Sequence, residues 1–133
     1  MNIFKIIGTA VRVVAASLAG LWAAMNPLVQ ALIVLMVLDI ATGVLSGYVA
    51  KKLSSDVSLR GVTKKALILL VIGAAAVLAP HAGGIPLVEV VAGFYVCHEG
   101  LSILENLAEA GLPIPDALKN ALAKVNGNGG DTS

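Results

Sequence analysis

The sequence predicts an all-α integral membrane protein. Three transmembrane helices follow an N-terminal amphipathic helix that is long enough to be a fourth span, and a short amphipathic helix closes the chain. Three observations carry this. Of 133 residues, 58% are hydrophobic and 13% charged, with mean hydropathy +0.93; a water-soluble domain carries nearer a quarter charged residues and cannot hide so much apolar surface at this size. The apolar residues fall into long runs, one of which, residues 28–50, covers the ~30 Å hydrocarbon core at 1.5 Å per residue. Helix breakers, Asn26-Pro27, Pro80 to Pro86 and Pro113-Ile114-Pro115, separate the runs.

Residues 1–25 form the first unit. At about 100° per residue, Lys5, Gly8, Thr9, Arg12, Ala16, Ala19, Gly20 and Ala23 share one face, with Ile3, Ile7, Val11, Val14, Leu18, Leu21 and Met25 opposite. Cations on a narrow face opposite bulky apolar groups suit a helix lying in the membrane interface, because Arg12 would otherwise sit near mid-bilayer. The alternative is an extra span packed through its small residues. Arg12 also interrupts what would be the apolar region of a cleavable signal peptide, and no clean cleavage site follows.

Residues 26–110 form the transmembrane helical domain. Pro27 suits the first turn of the span at 28–50. Asp39 lies at the midpoint of that span. A mid-span aspartate costs about 3 kcal/mol on an insertion scale. The twelve Leu, Ile and Val residues of the run together contribute about −4 to −7 kcal/mol, so the segment still inserts. Thr42, Gly43, Ser46, Gly47 and Ala50 continue the polar or small stripe below Asp39, and Gly43 and Gly47 form a small-xxx-small pair suited to close helix approach. Residues 51–65 read as a basic connector at the membrane surface: Lys51, Lys52, Arg60, Lys64 and Lys65 against Asp56, a net +4. A second span is expected from about Thr63 to Ala79, with its lysines reaching toward headgroups. The 80–86 turn has no Lys or Arg, so the 51–65 connector is assigned to the cytoplasm. Two further crossings return the C-terminus to the same side.

The third span begins near Leu87 and is the least apolar, interrupted by Glu89, His98, Glu99 and Glu105. Glu99, Ser102, Glu105 and Asn106, with His98 and Glu109, form a second polar stripe where it leaves the membrane, near 101–108. Residues 111–125 should then be a cytoplasmic amphipathic segment, with Asp116 capping a helix over 117–125 and Leu118 and Leu122 spaced i, i+4. The Gly/Asn-rich residues 126–133 read as a disordered tail.

Few chemistries survive this pattern. The single Cys97 excludes an intrachain disulfide or a cysteine zinc cluster. His98 and the glutamates lack metal-ligand spacing, so no metal or cofactor is expected. No nucleophile–base set or phosphate-cradling glycine loop is present, which argues against an enzyme, and no basic cluster interleaved with aromatics points to nucleic acid. What stands out is the stripe from Asp39 to Gly47, because intramembrane carboxylates face a bundle interior or an aqueous path. The pore-lining or oligomerisation candidates are therefore Asp39, Thr42, Gly43, Ser46, Gly47, Glu99, Ser102, Glu105 and Asn106. Sequence physics alone describes an oligomeric, pore-like membrane protein.

The runs LDIATG (38–43), KKLSSDVSLRGVTKK (51–65) and HEGLSILENLAEAGLPIP (98–115) add a resemblance. Together they resemble the phage-lysis and toxin-secretion holin family (the holin family 4 type). In that family an intramembrane Asp precedes Thr-Gly, a Lys-Leu-Ser-Ser loop leads to Gly and paired lysines, and an Asn-Glu-Gly-x-Ser-Ile-x-Glu-Asn signature precedes Gly-x-Pro-Ile-Pro. The likeness covers about residues 28–122 in order and spacing. His98 stands where the family often has Asn, Ile40 where an aromatic is common, and Ser58 where Gly is usual. The resemblance implies a phage-encoded protein of the host inner membrane that homo-oligomerises in the bilayer into lesions. Its functional partner would be an endolysin that the lesions release or activate, with an antiholin where one accompanies it. Some relatives are associated with export of large toxins. Two other readings are a small-solute or ion channel or transporter subunit using Asp39, and a non-conducting membrane scaffold.

Overall fold

The computed structural model describes residues 2–125, apart from the side chains of 56–58, 122, 123 and 125. The expected disordered tail at 126–133 and the Leu122 side chain therefore lie outside the described residues. The helices are, in order, α1 (Ile3–Ala24), α2 (Pro27–Val49), α3 (Ser55–Leu78), a 3-10 turn (Ala79–His81), α4 (Leu87–Glu109) and α5 (Asp116–Val125); α2, α3 and α4 pack together, with α3 running opposite to the other two. Four of the helices are long and apolar enough to cross a membrane, α1 included. No strand occurs among the described residues.

Local chemistry explains the ends. The Asn26 side chain accepts a hydrogen bond from Leu28 N at 2.9 Å, and Pro27 occupies the first helical position, where its missing N–H costs nothing. The α2 C-terminus closes with bonds from Lys51 N to Tyr48 O and Lys52 N to Gly47 O, and Lys51 adopts the left-handed φ of 54° that this closure demands. The end of α4 is built the same way, with Gly111 at φ 93° and Leu112 N donating to Leu107 O.

One boundary departs from the sequence expectation. The basic connector expected over 51–65 is non-helical only at residues 50–54, because α3 already begins at Ser55. Arg60, Lys64 and Lys65 therefore ride on a helix. No Pro or Gly interrupts residues 55–60, so a span that starts in the membrane can propagate backwards into the polar segment.

Packing follows a repeat of alternating three and four residues on each central helix. The inward stripes are Val29, Leu32, Met36, Asp39, Gly43 and Ser46 on α2; Gly61, Lys65, Ile68, Ile72 and Ala75 on α3; and Val88, Ala92, Tyr95, Glu99, Ser102 and Asn106 on α4. Such a repeat is the seam of left-handed helix bundles. It divides the bundle by depth. Val29, Leu32, Met36, Ile68, Ile72 and Ala92 form an apolar core at the end nearest the 79–86 turn. Polar groups fill the other half. The outward faces carry Val37, Leu45, Leu70, Val77 and Val90, all more than half exposed, as expected where lipid is the solvent.

α1 differs from the rest. No residue of it is buried. Thr9 and Ser17 satisfy their hydroxyls on the carbonyls of Lys5 and Val13, each at 2.9 Å, which an apolar medium requires. Its C-terminal end is anchored by Gln30, whose Nε2 donates to Trp22 O at 2.6 Å, and Asn26 Nδ2 donates to Glu89 Oε1 of α4 at 2.8 Å.

Candidate functional site

Three ionisable side chains from three helices meet at one level. Asp39 lies ten residues from the end of α2, Lys65 ten from the start of α3, and Glu99 ten from the end of α4. Each is thus about 15 Å from the same end of the bundle. Lys65 Nζ donates to Asp39 Oδ2 at 2.7 Å and to Glu99 Oε2. All three side chains are nearly buried: 10% exposed for Lys65, 13% for Asp39 and 4% for Glu99.

A second layer holds Asp39 from the other side. Asn106 Nδ2 donates to Asp39 Oδ1 at 2.8 Å and lies 3.1 Å from Thr42 Oγ1. Thr42 donates back to the Asp39 carbonyl at 3.1 Å. Asn106 can come this close because residue 43 has no side chain: a Cβ there would stand 3.4 Å from Asn106 Nδ2. One turn further out, Ser46 Oγ donates to Glu109 Oε2 at 3.4 Å, and Lys52 Nζ stands 4.0 Å from Glu109 Oε1. Among the described residues, no buried side-chain nitrogen or oxygen lacks a partner. That completeness matters, since an uncompensated charge or polar group in a low-dielectric interior is strongly destabilising.

The candidates named from sequence thus separate into groups. Asp39, Thr42, Gly43, Glu99 and Asn106 converge on one network, and Ser46 joins Glu109 beside it. Gly47 packs against Leu53 of the following loop, 3.4 Å from the position of a Cβ. Ser102 lines the cleft described below. Glu105 stands apart, exposed on the outward side of α4. Of the basic residues, Lys51, Lys52, Arg60 and Lys64 are exposed. Lys65 is not a surface residue: it is the buried centre of the network. Its signal in the sequence was indirect. Two mid-span carboxylates require a cation, and Lys65 is the basic residue lying deepest in the α3 span.

A cleft of about 410 Å³ leads toward this network. Asp39 and Lys65 lie at its inner end, Lys52 and Glu109 near the helix ends, and Ile40, Val44, Leu53 and Val62 along its walls. No group of three or more potential metal ligands occurs among the described residues. What the arrangement does is hold three charged groups inside a helical bundle.

The bacteriophage holin family matches residues 14–127. An uncharacterized 14.9 kDa protein of Clostridium perfringens is 45% identical over 97 residues, covering 71% of this chain and 74% of that protein. An uncharacterized protein of Halalkalibacterium halodurans is 31% identical over 127 residues, 87% of this chain and 90% of its own length. A protein of Bacillus phage phi105 named as a probable holin is 35% identical over 94 residues, 68% of each chain. No solved structure matches. A multi-pass helical membrane protein whose polar network is assembled from the segments on which the resemblance rests, matched by the family over most of its length, belongs to the bacteriophage holin family.

Proposed function

We propose that this protein is a lesion-forming holin: it accumulates in the bacterial inner membrane, oligomerises, and opens lesions that release or activate an endolysin for timed host lysis. The observation that supports this best is the buried Asp39–Lys65–Glu99 network. The dispersed subunit has its buried polar groups satisfied within one chain, so its bundle can reside in lipid without leaking. In an assembly, helices that part toward a common aqueous space would let the same groups exchange internal partners for water. A closed state satisfied internally and an open state satisfied by solvent are the two arrangements a delayed, all-or-none lesion requires.

A second reading, a small-solute or ion channel using Asp39, draws on the cleft that reaches Asp39 and Lys65. Induced expression in a bacterium separates the two. The holin reading expects normal growth for a delay, then abrupt loss of membrane potential with release of a cytoplasmic reporter enzyme. A leak of ions alone, growing in proportion to expression from the first minutes, would replace it with the channel.

A further inference from the structure

The ion pairs among the described residues are Lys65 with Asp39 and Glu99, and Lys52 with Glu109. Lys5 and Arg12 on α1 and Glu105 on α4 stand outside them, and all three are exposed. In a membrane-spanning helix such charges are expensive unless paired or drawn to the headgroups. With α1 crossing as a fourth span, for which it is long and apolar enough, the start of α1 and the end of α4 lie on the same side of the bilayer, whichever side that is.

The depths then correspond. Glu105 is four residues from the end of α4, about 6 Å in. Lys5 is two residues and Arg12 nine residues from the start of α1, about 3 Å and about 13 Å in. The carboxylate lies between the two cations, and an arginine side chain bends several ångströms toward the headgroups. The apolar halves correspond as well. Val90 and Phe94 project from the outward side of α4, 58% and 48% exposed. Gly20 of α1, where an added Cβ would meet no packed neighbour within 4 Å, falls between them in depth. Large residues on one helix would meet a small one on the other, as close packing in lipid favours.

We propose that α1 of one subunit docks antiparallel along the outward face of α4 of a second copy of this chain, with Lys5 and Arg12 pairing to Glu105. A second copy fits better than the same chain. α1 has no buried residue in its own fold, while the Asn26–Glu89 hydrogen bond pins its root beside α4. It is thus an arm held beside its bundle, free to reach a neighbour. The proposal deepens the oligomer of the preceding section and rests on it, but its readout is contact between copies, scored whether or not cells lyse.

Two differently tagged copies, both Cys97→Ser, are co-expressed in membranes, one carrying Gly20→Cys and the other Val90→Cys. A bifunctional thiol reagent should give dimers bearing both tags. Lys5→Glu with Arg12→Glu in the first copy should lower their yield roughly tenfold or more, and Glu105→Arg in the second copy should restore it. Three results would each overturn the proposal. Absence of mixed-tag dimers, with an intrachain crosslink in a third chain that carries both Gly20→Cys and Val90→Cys, would return α1 to its own bundle. Loss without rescue by Glu105→Arg would assign the cations to lipid phosphates. Undiminished crosslinking of the charge-reversed copy would show that the charges do not guide the contact. Lysis with no mixed-tag dimer sinks this interface and leaves the holin reading standing.

Discussion

Lys65 is the residue on which the internal balance turns, because it is shared by two carboxylates from two other helices. Removing the shared cation leaves two buried carboxylates facing each other, whereas removing one carboxylate leaves a matched pair. Breaking a buried pair by deleting one partner costs about 3–5 kcal/mol. Lys65→Met should therefore destabilise the bundle by about that amount, and Asp39→Asn or Glu99→Gln by about 1–3 kcal/mol, the cost of losing a charged hydrogen bond. Adding Glu99→Gln to Lys65→Met should recover part of the loss, a coupling that a double-mutant cycle isolates. Unfolding of the purified protein in detergent micelles reads all four. Equal losses for Lys65→Met and Asp39→Asn would mean that the cation is not shared. In lysis assays at matched membrane abundance, Asp39→Leu should insert well and fail to open. Wild-type timing in that variant would reduce Asp39 to a tolerated polar intruder.

Between α2 and α4, approach at the polar end depends on Gly43, whose missing side chain admits Asn106. From sequence, the Gly43–Gly47 pair read as a face for helix approach without saying which helix. In the fold, Gly43 meets α4 of its own chain and Gly47 meets Leu53. Gly43→Leu should therefore act first within the subunit: it displaces Asn106, breaks its bond to Asp39, and costs about 1–3 kcal/mol as overpacking does. Gly43→Ala should be tolerated, since 3.4 Å is the onset of ordinary contact and alanine gains helix propensity. Thermal unfolding of both variants in micelles decides this. A Gly43→Leu protein as stable as the wild type would show that α2 and α4 do not approach at this point.

For the molecule as a whole, the basic residues at 51–65 against the uncharged 80–86 turn predict that the α2–α3 connector and the C-terminus, two crossings further on, both face the cytoplasm. Thiol labelling of Ser55→Cys and Asn128→Cys, each in a Cys97→Ser background, should be blocked from outside intact cells before lysis. Labelling at either position would invert the topology.

The sequence by itself determined the properties that depend on short stretches of chain: helices of spanning length, the breaks at Asn26-Pro27 and 80–86, the resemblance to holins, and Asp39 as the charge demanding an explanation. Each is set by local composition, or by transfer of a single segment into lipid. Only the tertiary structure decided the partners. Asp39 meets Lys65 across 26 residues, Lys65 meets Glu99 across 34, and Asn106 meets Asp39 across 67. For the same reason Lys65, beside the outward-facing Lys64, read as one more surface lysine. Helices that are apolar on most sides carry little record of which side faces the bundle, and that choice emerges only when three stripes pack at a common depth and the buried charges must find partners.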